Sequence, residues 1–305
     1  MGNNLFINCL NKTDFQLRKP LITSLASMLL FMQISFSQSL RQPISAIYLG
    51  LNAYSTKHTD PFSFVKNQAA LVQNKNVAAG VYGERRFMLA ATGLYNAVVV
   101  VPSKLGNFGL NIKYAGAKNF NENQIGLAYG KSLGSKVDIG IQFNYYSYKV
   151  PTYINASTVN VEIGAIVHLT DQLNAGIHIY NPVGGKLSNT DEKLTTAYTI
   201  GLGYDASDKF FVSTEVVKEE DHPVNLNVGM QYQFMKQLFA RAGISTVSSA
   251  AYGGVGVGFN NLRLDVSGSY HPQLGWSPGL LLIIQLGARS ITDEQPKENS
   301  SPNTF

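Results

Sequence analysis

Charge is scarce in this 305-residue chain: Asp, Glu, Lys and Arg make up only 14%, against about 25% in an average soluble domain. Disorder is excluded by the same composition, because disordered chains are charge-rich and poor in aromatics, whereas this one has 16 Tyr and 16 Phe. Long apolar runs are missing too. Only Leu21–Phe36 approaches the roughly 20 apolar residues a spanning helix needs. Cysteine is reduced to one residue, Cys9. It precedes the apolar run, so it is no lipoprotein attachment site. The chain beyond the leader therefore has no disulfide, thiolate metal site or cysteine nucleophile.

Catalytic patterns are absent as well. There is no His-Glu-x-x-His and no Gly-x-Ser-x-Gly elbow. The nearest candidate, Asp221-His222, is a dipeptide whose side chains diverge in a strand. Gly253–Gly258 lacks the Lys-Ser/Thr of a phosphate loop and reads as a close-packed strand. The sequence thus points to no enzyme, no cofactor and no metal. The formal charge falls from +5 to +3 once Lys12, Asp14, Arg18 and Lys19 leave with the leader. No basic block supports nucleic-acid binding.

What is present is a leader followed by strands. Arg18-Lys19, the apolar run and Ser35-Phe36-Ser37 read as a secretory signal over residues 1–37. From residue 77 onward the alternation has period two. Val137, Ile139, Ile141, Phe143 and Tyr145 share one face, with Asp138, Gly140, Gln142 and Asn144 on the other. Val224–Phe234 alternates without a fault. This is the pattern of half-buried strands.

Fourteen strands are predicted, at 77–85, 90–101, 107–115, 122–132, 136–148, 156–169, 172–180, 195–205, 209–218, 223–234, 237–245, 250–259, 261–270 and 277–287. Their lengths suit a tilted bilayer crossing. Short connections around 133–135, 170–171, 206–208, 235–236 and 260–261 alternate with longer ones at 151–157, 181–194, 219–222, 245–250 and 271–277. Membrane barrels have that asymmetry, with tight periplasmic turns. The expected fold is all-β: an antiparallel transmembrane barrel in the outer membrane of a Gram-negative cell, both termini periplasmic. Tyr82, Tyr114, Tyr129, Tyr198, Tyr204, Tyr232 and Tyr270 are assigned to its interfacial girdle. The competing soluble sandwich would carry more Lys and Glu on its solvated faces.

The opposite strand faces should line the lumen with Lys113, Asp138, Glu162, Glu215, Arg241, Arg263 and Asp265, beside Gln142, Asn144, His168 and His178. Mixed signs favour mutual pairing in a narrow barrel over a polar conduit, since buried charges need partners. Ile166, Phe211, Phe239, Leu281 and Ile283 also point inward and suggest packing. Residues 38–76 alternate poorly yet carry Phe62, Phe64, Asn67, Ala69 and Leu71. That aromatic content predicts a plug inside the barrel, with a short helix near Asp60–Lys66. The barrel proper then spans 77–288, and the polar segment 289–305 is expected to be a disordered tail.

Several motifs in order resemble a known family. They are Asn67-Gln68-Ala69-Ala70-Leu71, Gly83-Glu84-Arg85-Arg86-Phe87, Tyr180–Gly185, Gly203-Tyr204-Asp205 and Tyr270–Gly275. Together they resemble the PorV/PorQ branch, associated with type IX secretion, of the FadL-like outer-membrane barrel superfamily. Gln68 stands where the Asn-Pro-Ala-x-Leu element has Pro. The resemblance implies a fourteen-stranded barrel with an N-terminal plug. Its implied partners are membrane lipid and lipopolysaccharide, together with secretion-machinery or exported proteins. The wider superfamily implies instead the uptake of a hydrophobic small molecule. No ligand-capture residues carry over by position.

Overall fold

In the computed structural model the described residues are 48–118, 120–150, 154–188, 193–246 and 250–286. The proposed leader, residues 38–47 and the tail 289–305 lie outside them. Fourteen strands follow in order: β1 Val77–Arg85, β2 Gly93–Val101, β3 Asn107–Ala117, β4 Phe120–Leu133, β5 Val137–Val150, β6 Ile154–His168, β7 Leu173–Tyr180, β8 Ala197–Asp205, β9 Phe210–Glu219, β10 Asn225–Gln233, β11 Leu238–Ser245, β12 Ala250–Phe259, β13 Leu262–His271 and β14 Gly275–Leu286. Each pairs antiparallel with its sequence neighbours, and β1 pairs with β14 from Val77↔Leu286 to Glu84↔Gly279. The sheet closes on itself, so no edge is left to pair with another chain.

Period two decides the two surfaces. On β5, Ile139, Phe143 and Tyr145 are exposed while Asp138, Gln142 and Asn144 are buried. The same sorting runs round the barrel, with Ile125, Leu127, Ile163, Ile177, Ile200 and Leu264 among the exposed aliphatics. An outward apolar band over a polar interior inverts a soluble protein and matches a barrel facing hydrocarbon. No helix among the described residues is long and apolar enough to cross a membrane; crossing falls to the strands.

Three expectations need correction. Tyr82 is buried and turns inward, where its hydroxyl donates to Glu84 Oε2 at 2.9 Å. Its place on β1 has the parity of the lumen. Tyr95 and Trp276, both exposed, are outward aromatics the sequence reading missed. Second, the connection expected to be long after β5 is short: β5 and β6 continue until only 151–153 separate them. That hairpin keeps pairing, from Tyr148↔Ala156 to Val150↔Ile154, beyond the end of β7. Third, the helix near Asp60–Lys66 is only the 3-10 turn Ser63–Val65. Asn67 breaks it with extended backbone (φ −148°, ψ 116°) and caps a second 3-10 turn, Gln68–Gln73. The expected inward apolar residues Ile166, Phe211, Phe239, Leu281 and Ile283 are all buried.

A candidate site where an inner segment meets the barrel wall

Residues 48–76 lie inside the barrel and meet the wall on every strand from β3 to β13. The apolar part is compact. Tyr48, Leu49, Phe62, Phe64, Val65 and Leu71 form one buried cluster with Val98, Val100, Leu281 and Ile283. Tyr54, Ala69 and Ala70 form another with Ile166. Asn67 is fully buried, and its amide donates to the carbonyls of Ile177 at 3.0 Å and Ala165 at 3.3 Å. Its Oδ1 accepts from the Ala69 amide at 3.1 Å. One side chain thus starts the turn and ties it to two strands.

Inward-facing glycines make the seat. A Cβ on Gly140 would stand 2.6 Å from the Ala69 nitrogen, one on Gly130 2.9 Å from Leu71 Cβ, and one on Gly80 2.5 Å from Phe62 Cε2. Around the other half, Gly176 faces Tyr54 and Gly254 faces Tyr48. Glycine in a strand commonly marks such close approach. The sequence reading suspected close packing only at Gly253–Gly258. The available signal was glycine recurring at lumen parity on successive strands.

The polar lumen residues bond to one another, and six of the seven charged ones expected from the sequence also bind the inner segment. On β11 and β13, Arg241 Nη2 donates to Asp60 Oδ2 at 2.8 Å and Arg263 Nη1 to the same oxygen at 3.1 Å. Arg263 also binds Asp265 through two donors, at 2.8 and 2.5 Å, and Tyr48 donates to Asp265 Oδ2 at 3.0 Å. Burial opposes ionisation of Asp60, but the two guanidiniums outweigh it and hold the carboxyl below its ordinary value.

Across the lumen, Glu162 accepts from Gln68 at 2.7 Å and Asn144 at 2.8 Å, with His178 Nε2 at 3.0 Å. Asp138 accepts from Gln73 at 2.7 Å and lies 2.9 Å from His168 Nε2. Glu215 pairs with Lys66 at 3.0 Å. Lys113 is buried on the same inner wall but forms no ion pair among the described residues.

Asp205, which the sequence reading quoted in the Gly203-Tyr204-Asp205 motif but not among the lumen residues, binds Ser55, Thr56 and His58. The Ser-His-Asp trio is not laid out for nucleophilic catalysis. Ser55 donates directly to Asp205 at 2.5 Å, and His58 Nε2 faces the Asp208 carbonyl at 3.2 Å. A nucleophile needs its base on the attacking hydroxyl, with the acid behind that base. Asp221-His222 offers no better arrangement, since His222 Nδ1 lies 2.8 Å from the Glu220 carbonyl. No group of three His, Cys, Asp or Glu among the described residues is placed to hold a metal.

At the mouth where β7 ends, the described parts of the connection that follows, 181–188 and 193–196, pack against the wall. Leu187 and Leu194 are buried against Tyr146, Ala156 and Tyr180. Asn181 pins the loop by donating to the Leu194 carbonyl at 2.6 Å and accepting from the Gly185 amide at 3.1 Å.

The closed fourteen-stranded antiparallel barrel is similar to FadL-type outer-membrane barrels. Among solved structures, the Pseudomonas putida toluene transporter TodX matches with TM-score 0.55 at 10% identity, over 78% of this chain and 97% of that one. A Pseudomonas aeruginosa FadL homologue matches with TM-score 0.52 at 12% identity, over 81% and 98%. The Ralstonia pickettii toluene transporter TbuX matches with TM-score 0.52 at 12% identity, over 74% and 92%. At these identities the likeness is one of fold. No family model and no curated protein matches the sequence.

Proposed function

We propose that this is a non-enzymatic outer-membrane barrel of the PorV/PorQ kind, serving type IX protein secretion from its rims rather than conducting solutes along its axis. Residues 1–37 are its export signal, 38–76 its plug, 77–288 the barrel and 289–305 a C-terminal tail, with both termini periplasmic. Phe62, Phe64, Asn67, Ala69 and Leu71 anchor the plug. The lumen cluster of Asp138, Glu162, Glu215, Arg241, Arg263 and Asp265 locks it, and Lys113 adds a buried cation. Lipopolysaccharide and outer-membrane lipid surround the wall.

The observation that carries this reading is the fastening of the inner segment on every strand from β3 to β13. Opening an axial path would break buried charge pairs on both sides of the lumen at once, each strongly destabilising to break. The barrel's usable surfaces are therefore its mouths.

Uptake of a hydrophobic small molecule is the second reading. It draws on the fold shared with toluene transporters and on the apolar cap of Leu187, Leu194, Tyr146 and Tyr180.

Native mass spectrometry of the gently solubilised protein separates the two. Co-purified exported or secretion-machinery proteins with no small ligand support the first. A retained hydrophobic ligand of defined mass, with no protein partner, replaces it with the second.

A further inference from the structure

The mouth at which β1 begins and β14 ends holds a cavity of about 410 Å³ between the inner segment and the inner wall of β10–β14. We propose that it is a binding site for an acidic peptide segment. The inference goes beyond the proposed function and does not depend on which way the barrel faces.

Charge comes first. Four cationic side chains line the cavity, Lys57, Lys75, Lys236 and Arg263, against one carboxylate, Asp60. That carboxylate cannot repel an anion, because Arg241 and Arg263 already cover it. Lys57 is engaged by Asp208. Lys75 and Lys236 are exposed at the rim, and neither ammonium forms an ion pair among the described residues.

Hydrogen-bonding capacity comes second. The rest of the lining is dominated by amide side chains, among them Gln73, Asn76, Gln237, Asn260, Asn261 and Gln285. Each amide offers both a donor and an acceptor, which matches a peptide backbone. A phosphate, an acceptor alone, would leave half of that capacity unused. The aromatic rings in the lining are Phe239, whose face is taken by Arg263 at 4.5 Å, and His58, which stacks on Phe211. That leaves no free platform for stacking a base or a sugar. A volume of this size falls within the range of small-ligand sites and admits a few residues of chain.

Fluorescence anisotropy tests the site on the full-length, detergent-solubilised protein. The probe is a fluorescein-labelled hexapeptide alternating aspartate and glutamate; its asparagine–glutamine counterpart is the control. Saturable binding of the acidic probe, weakened at least tenfold by K75E combined with K236E, is expected. K104E combined with K131E, an equal charge change outside the cavity, should leave binding within twofold. Equal losses in both double variants, equal binding of the neutral peptide, or displacement by millimolar inorganic phosphate at constant ionic strength would each overturn the proposal. The acidic segment has two sources, a separate protein or the chain's own Asp293, Glu294 and Glu298. If only the full-length D293N/E294Q/E298Q variant takes up the probe, the site stands and its occupant is internal. If neither protein binds, the proposal fails.

Discussion

The two sides of the lumen hold the inner segment with opposite signs. On β11 and β13 the wall supplies arginines and the segment supplies the carboxylate, Asp60. On β5, β6, β8 and β9 the wall supplies carboxylates, Asp138, Glu162, Asp205 and Glu215. There the segment answers with Gln73, Gln68, Ser55, His58 and Lys66. A segment rotated inside such a wall would meet like charge or bury an unpaired one. The reversal therefore selects one rotational setting, which a uniformly charged wall would not do. Glycine seats on both sides then fix how closely the backbone approaches.

Asp60→Ala should be the strongest way to break the comparison. It removes the partner of Arg241, whose side chain is only 1% exposed, and breaking such a buried pair costs about 3–5 kcal/mol. Hydrogen exchange should rise in residues 48–66 while 67–74 stay protected. Equal loosening of both segments would mean that the two sides are not independent. Gly140→Val comes next, because the Ala69 nitrogen would lie 2.6 Å from the new Cβ and both are backbone-fixed. Overpacking of this sort costs about 1–3 kcal/mol, and here exchange should rise first in 67–73. Because Cys9 is the chain's one cysteine, Ala69→Cys in a Cys9→Ser background reports the same event by maleimide labelling.

Glu162→Gln should cost less, about 1–3 kcal/mol, the range for leaving buried hydrogen-bonding groups mismatched. It keeps the shape but replaces one acceptor oxygen with an amide NH2, a donor set among donors from Gln68, Asn144 and His178. A melting shift as large as that of Asp60→Ala would contradict the ranking.

Acid sharpens the contrast with the Arg side. The Asp60 carboxyl lies below its ordinary value of 3.8 when folded, so its stabilisation is complete above that value. It is lost as pH falls through the lower folded value. Protection of 48–66 should hold from pH 7 down to about pH 4.5 and decline only in stronger acid. Lys57→Ala, which breaks an exposed pair with Asp208, should leave the melting temperature unchanged, since such pairs are screened by solvent.

Much of the wall was legible because its signal is local. Alternation in Val137–Tyr145 or Val224–Phe234 reports parity directly, and predicted strand limits fall within a few residues of those observed. Tyr82 shows where local reading slips: residue type pointed to the interface while parity pointed inward. The lumen residues were named from parity, but their partners were not. Asp60 and Arg263 are 203 residues apart, and Tyr48 and Asp265 are 217 apart. The glycine seats were hidden for the same reason. A missing side chain carries no meaning until another segment is known to press against it.

The sequence by itself determined the strand count, the two faces of each strand and the neighbour-to-neighbour meander, because period two and short connections act over a few residues. The tertiary structure alone decided the register in which β1 closes on β14, that the wall's charges fasten the inner segment, and that Asp60 sits between two arginines. Those choices depend on the one rotational setting in which Asp60 meets both arginines and Lys66 meets Glu215. No local stretch of chain contains that information.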